Sequence, residues 1–178
     1  MAHTDLRVQK TLDSIRDAYI ELLGKRGYGK VSVTELARDA RIAKGTFYLH
    51  YTDINDLHRR LLVQMVGDDY ARLSRCSVVL DDPAAFLREF SDILQANSAD
   101  QRLIMRYLDA QDCQQEIVLD LMERIFAEGD LPRTRENEVR LFAYLNALLA
   151  LLPAYADSDR DLTVDTLKTI AGSLFRYG

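Results

Sequence analysis

The sequence is poor in the features that mark secreted, disordered or membrane-embedded chains. Its two cysteines, Cys76 and Cys113, are too few for a disulfide framework, and neither sits in a CxxC motif or a Cys/His cluster. They read as ordinary thiols in a reducing cytoplasm, with a redox sensor as the alternative. Only three prolines and eight glycines are present and no stretch is of low complexity; with 48% hydrophobic and 29% charged residues, this excludes disorder and points to a folded, globular protein. The first residues, MAHTDLRVQK, lack the apolar core of a secretory signal. The longest uncharged run, Leu141 to Ala156, is shorter than the roughly 18–20 residues a membrane span needs and carries Asn146 and Pro153. It reads as a buried helix, so no membrane partner and a cytoplasmic location are expected.

Catalytic signatures are equally scarce. The only histidines are His3, His50 and His58, and there is no HExxH, nucleophile elbow or Gly-rich phosphate loop. The segment DSDRDLTVDTLK places Asp157, Asp159 and Asp161 at alternating positions like a calcium loop. Leu162 stands where that loop needs glycine and Lys168 where it needs a bidentate glutamate, so a capped, solvated loop is the better reading. No enzyme activity, metal or cofactor is expected.

What is present is an uneven charge. Residues 1–60 hold 11 Lys+Arg against 8 Asp+Glu, a net of +3; the whole chain has 23 against 28, which leaves 12 against 20, a net of −8, for the rest. A mildly basic head on an acidic body fits a nucleic-acid-binding module whose body is repelled by phosphate. The 178 residues allow one or two domains.

Periodicity supplies the helices. Val8, Leu12, Ile15, Tyr19 and Leu22 recur in steps of four and three, the stripe of an amphipathic helix over Leu6–Leu23 that stops at Gly24 in the glycine-rich GKRGYGK. Ser32 and Glu35 form a capping-box pattern that starts a second helix near Val33, with Leu36, Ala37 and Ala40 inward. Ile42 plugs a tight turn, and a third helix runs from about Lys44 to His50. Thr52 and Asp53 offer N-caps for a long fourth helix that extends towards Cys76. Further helices are expected at Asp82–Ala96, from Ser98–Asp100 to about Ala110, from Gln111 or Asp112 to Glu128, at Arg135–Ala156 and at about Thr163–Tyr177. The fold class is therefore all-α, with about nine helices and no sheet. In LFAYLNALLALLPAYA apolar residues occupy nearly every face, more than one domain buries by itself; a second copy of the same surface is the economical cover, giving a dimer through the last two helices.

Two short helices separated by about four residues have the proportions of a helix-turn-helix. The stretch VSVTELARDARIAKGTFYLHYTDINDL, and above all KGTFYLHY, resembles the DNA-binding signature of the TetR family of bacterial repressors. The resemblance implies a helix-turn-helix domain over 1–52 and a helical ligand-sensing and dimerisation domain over 53–178. It also implies that Tyr48 and His50 contact phosphates, that Lys44 and Gly45 lie against base edges, and that Thr34 assists from the second helix. Read from the residues alone, Gly45 permits close approach of the backbone, while Lys44, Thr46, Tyr48 and His50 present donors and Phe47 points into the module core. An amine in the major groove suits guanine O6 and N7.

Three positions depart from the family pattern. Arg41 stands where the turn commonly has glycine, so either a non-glycine residue adopts a positive φ or the turn differs; Arg41 then weakens binding slightly or gains a phosphate contact. Ala43 replaces a capping Ser or Thr, leaving the third helix free to fray without DNA. Ile54 replaces a phosphate-binding lysine, which lowers the expected salt slope by about one unit. The function implied is that of a repressor that binds a near-palindromic double-stranded operator as a homodimer and is released by a small-molecule effector. The rival is a helical interaction or ligand-carrying protein that does not bind DNA. Tyr107, Met105, Cys113 and Tyr144 read as core packing rather than as ligand contacts.

Overall fold

The computed structural model describes residues 2–107, 113–155 and 160–175, and these form ten α-helices with no strand among them. In chain order they are α1 (Ala2–Arg26), α2 (Val33–Asp39), α3 (Lys44–Tyr48), α4 (Ile54–Tyr70), α5 (Val78–Asp81), α6 (Pro83–Gln95), α7 (Ala99–Met105), α8 (Gln114–Glu128), α9 (Arg135–Tyr155) and α10 (Arg160–Phe175). They fall into two compact units. One is built from the chain up to Met65 together with the segment that begins at Ser98; the other comprises Val66–Asn97 and the chain from Cys113 onward.

In the first unit, Ile15, Tyr19, Leu22 and Leu23 of α1 bury the predicted stripe, whereas Leu12 is half-buried and Val8, two turns before Ile15, is exposed. The helix runs two residues past Gly24, and Gly27, at φ +82°, ends it with its N–H on the Leu23 carbonyl at 2.9 Å. Gly24 instead sits where a Cβ would come 3.4 Å from the Leu103 side chain of α7. The Tyr19 hydroxyl lies 2.7 Å from Nδ1 of the buried His58 in α4, and the rings of Tyr28 and Tyr107 pack against that imidazole. Tyr28 and Tyr107 also stack on each other, with centroids 5.4 Å apart. Ser98 and Gln101 form a complete capping box at the start of α7.

The second unit packs α8, α9 and α10 around Ile117, Val118, Leu121, Ile125, Leu141, Leu145, Leu148 and Leu167, with α5 and α6 against α10. At ~1.5–3 kcal/mol for each fully buried large aliphatic side chain, this cluster is the main stabilising element of the unit. Tyr144, on α9, is buried and donates its hydroxyl to the Val79 carbonyl at 2.6 Å, so it is a core residue. Cys113 is also buried, as is Cys76, whose thiol is pushed up to about 11 by burial and by the neighbouring Glu128 carboxylate. That thiol stays protonated at neutral pH and makes a poor redox nucleophile.

The fourth helix was expected to extend towards Cys76, but α4 ends at Tyr70 and a separate short helix, α5, follows. Carboxylates from distant helices hold the break. Glu128 of α8 accepts from Cys76 N at 2.6 Å and Ser77 N at 2.8 Å, and Glu89 of α6 accepts from Ser74 N at 2.7 Å. These bonds satisfy amides that a continued helix would have paired internally. Asp82 then caps α6 through Ala85 N at 3.0 Å, with Pro83 at the first helical position.

The last helix begins at Arg160, three residues before the predicted start. Ala110, Gln111, Asp112, Ala156, Asp157, Asp159 and Tyr177, named above as element ends or loop residues, lie outside the described residues, as does the side chain of Asp161. Along α9, Leu141, Tyr144, Leu145 and Leu148 are buried while Val139 remains 57% and Phe142 38% exposed; on α10, Leu162 is 67% exposed. Exposed large apolar side chains thus remain on both helices, although of the described side chains in the run that begins at Leu141 only Phe142 is among them. No helix among the described residues is long and apolar enough to cross a membrane.

Candidate nucleic-acid interface

The site is built on α2, a turn and α3. Ser32, in extended backbone, accepts from Glu35 N at 3.3 Å and donates to the Glu35 carboxylate at 3.0 Å, so the N-cap expected from the sequence is in place. The same carboxylate meets Arg26 at 2.7 Å, tying the end of α1 to the start of α2. Leu36 and Ala37 are buried. At the other end, Ile42 N donates to the Ala37 carbonyl at 2.9 Å and Arg41 N to the Arg38 carbonyl at 3.1 Å, the paired bonds of a Schellman cap. Arg41 occupies the left-handed position at φ 56°, which resolves the alternative left open above: the turn keeps its geometry, and an exposed arginine adopts the conformation that glycine favours.

Ala43 precedes α3 and makes no side-chain cap, as its chemistry requires. The helix spans Lys44–Tyr48 and passes into a turn at Leu49 and His50, shorter than the helix to His50 read from the sequence. Phe47 anchors it. Its ring is fully buried and meets Tyr51 with centroids 5.6 Å apart. Arg60 lies over the Tyr51 ring at 5.6 Å, and burial of that phenol raises its pKa.

Around the buried Phe47, the remaining side chains of α3 turn outward. Lys44 and Gly45 are exposed, Tyr48 is 57% exposed, and Thr46 and His50 are half-buried; Thr34 is exposed on α2. Lys44 and Tyr48, four residues apart, share one face of α3, as do Gly45 and Leu49. Thr34 and Arg41 belong to α2 and the turn.

Two groups escaped the sequence reading. Leu49, on the exposed face, is 81% exposed; its signal was the spacing of four from Gly45. The other is Asp56. Of the two N-cap candidates for α4, Asp53 takes the role, its carboxylate accepting Asp56 N at 2.8 Å. The Asp56 carboxylate in turn accepts from Thr52 N at 3.0 Å and from Arg59 and Arg60 at 2.9 Å each. Burial alone would raise its pKa, but these bonds outweigh burial and hold it at about 2. Asp56 thus fixes the chain between α3 and α4 and the guanidinium above Tyr51.

A capped short helix, a Schellman turn and a second short helix with one buried aromatic anchor are the anatomy of a helix-turn-helix. Residues 15–61 match the family model described as bacterial regulatory proteins, tetR family. The N-terminal module is thus of the TetR type. The TetR-type module begins in mid-α1 and ends within α4, so the match takes in the whole of α2, the turn and α3.

Two curated proteins of Bacillus subtilis (strain 168) are similar to the chain beyond the module. The uncharacterized HTH-type transcriptional regulator YuxN is 23% identical over 124 residues, which cover 70% of this chain and 37% of that protein. The uncharacterized HTH-type transcriptional regulator YwcC is 32% identical over 93 residues, 47% of this chain and 42% of that protein. The matches therefore span about two fifths of the relatives' length. Among solved structures, a TetR family transcription regulator from Marinobacter aquaeolei VT8 aligns over 96% of this chain and 97% of its own at 14% identity and a TM-score of 0.33. The SmeT-Triclosan complex aligns over 89% and 90%, again at 14% identity and a TM-score of 0.33.

Proposed function

We propose that this chain is a TetR-family transcriptional repressor that binds a near-palindromic double-stranded operator as a homodimer and is released by a small-molecule effector. The observation that carries the DNA-binding reading is α3 itself: one aromatic side chain is sunk into the core, while an amine, a phenol and a bare backbone are offered on the outside. In this reading Lys44 meets a guanine edge, Gly45 lets the helix backbone approach the groove, Thr46, Tyr48 and His50 bind phosphate or sugar, and Thr34 and Arg41 contact the flanking backbone. The functional division is into a DNA-binding part, residues 1–52, and a sensing and dimerising part, residues 53–178.

Dimerisation is supported by the apolar side chains left exposed on α9 and α10, namely Val139, Phe142 and Leu162. A two-fold pairing places two recognition helices in successive major grooves, about 34–36 Å apart. An effector acts by binding the DNA-incompetent arrangement more tightly than the competent one, which is all that a population shift requires.

The test is selection of genomic fragments by the purified protein at two salt concentrations, followed by sequencing. A palindromic site with strong salt dependence is the expected result. A joint Lys44→Ala and Tyr48→Ala change should then cost at least the ~1–3 kcal/mol of one good base contact while leaving dimerisation intact. Weak binding that is indifferent to sequence and unaffected by those changes would establish the non-DNA interaction protein instead.

A further inference from the structure

Gly45 and Leu49 form a strip on the exposed side of α3 that nothing among the described residues explains. A Cβ on Gly45 would meet no atom within 4 Å, and Gly45 is not among the residues with positive φ, so neither packing nor backbone conformation calls for glycine. Glycine within a helix is nonetheless less stable than alanine. Leu49 is the most exposed large hydrophobic side chain among the described residues, at 81%. Such a side chain has no structural task in the unit that carries it.

We propose that Leu49 is a specificity-determining residue that reads the 5-methyl group of a thymine in the major groove, with the missing Cβ of Gly45 letting the helix approach closely enough. The inference rests on the operator-binding reading above and deepens it. DNA is the occupant favoured here because the same short helix offers the Lys44 amine and the Tyr48 phenol, groups suited to base edges and phosphate. In the major groove the edges of guanine, cytosine and adenine are donors and acceptors, and the thymine methyl is the one apolar group. Leucine has no polar atom, so it can discriminate only through that methyl. Lys44 and Leu49 are five residues apart, roughly 7.5 Å along a helix and so about two base-pair steps. A guanine read by Lys44 and a thymine read by Leu49 therefore fall close together in each half-site.

The experiment uses the operator recovered by genomic selection. Each thymine of a half-site is replaced in turn by deoxyuridine, which removes only the methyl group, and Kd is measured by fluorescence anisotropy for the wild-type protein and Leu49→Ala. At one thymine within about two base pairs of a guanine, deoxyuridine should weaken wild-type binding about 4-fold, the effect of one buried methyl group, and Leu49→Ala binding by less than about 1.5-fold. Leu49 is almost wholly exposed, so the variant should keep its helical circular dichroism. Wild-type binding that is indifferent to every deoxyuridine, or a loss of the same size in Leu49→Ala, overturns the role of Leu49 while leaving operator binding intact. Failure to recover any operator removes the DNA-binding reading and this inference with it.

Discussion

His58 makes the first unit sensitive to acid, in a way that can be worked through from its surroundings. Its Nδ1 is engaged by the Tyr19 hydroxyl, its Nε2 is buried with no hydrogen-bond partner among the described residues, and aromatic rings from Tyr28 and Tyr107 cover it. Protonation would create a buried cation, and burial accordingly pushes the pKa down to about 4. Between that value and the ordinary histidine value of about 6.5, the unfolded chain binds a proton that the folded chain refuses, so stability falls as pH falls through this window. At pH 7 the penalty is negligible; at pH 5 the unfolded imidazole is almost fully protonated and the folded one is not, a loss of about 2 kcal/mol. Asp56, held at about 2, adds almost nothing to the change between pH 5 and 7, because its carboxylate is ionised in both states over that range and its stabilisation is present throughout. The assay is urea unfolding followed by far-UV circular dichroism at fixed protein concentration, at pH 7 and pH 5. Wild type should lose about 2 kcal/mol on acidification beyond what His58→Gln loses, since contributions from other groups cancel in the difference. Equal losses in the two proteins would refute the assignment of the acid sensitivity to His58.

Two further substitutions test the geometry of the helix-turn-helix. Arg41→Gly relieves a left-handed non-glycine residue, a gain of about 1–2 kcal/mol that is partly offset by the greater freedom of glycine in the unfolded chain, so a net stabilisation of about 0.5–1 kcal/mol is expected in thermal or urea unfolding; a destabilised variant would contradict the strained-cap account. Phe47→Ala removes the buried anchor of α3 and should cost about 3–5 kcal/mol, read by the same unfolding assay, and weaken operator binding even though Phe47 faces away from the groove.

Where contacts are local in sequence, the helix-turn-helix could be read before any coordinates. The Ser32 cap, the inward Leu36 and Ala37, the difficulty at Arg41, the missing cap at Ala43 and the buried Phe47 all follow from residues within a few positions of one another. The failures are of the opposite kind. Gly24 looked like a helix end, yet the helix continues; the close neighbour of Gly24 is Leu103, nearly eighty positions away. The end of α4 at Tyr70 leaned on Glu89 and Glu128, whose carboxylates bond amides of the following turn from helices that no local pattern connects to it. Asp56 was hidden because a carboxylate in the first turn of a helix is ordinary, and only its burial beside two arginines gives it a task. Leu49 was passed over because an apolar residue in a short helix is assumed to be inside.

The presence of α7 in the first compact unit also bears on how the DNA-binding part could be handled in isolation. The match to the family model stops at residue 61, yet α7 packs on α1, Leu103 approaches Gly24, and the Tyr107 ring stacks on Tyr28 and covers His58. A fragment cut after α4 would keep every residue of the recognisable motif and still expose one side of α1 and the aromatic cluster to water. The stretch that the family model covers and the body that folds are thus different objects, and a transplantable head for a chimeric regulator would need the 98–107 segment spliced back onto it.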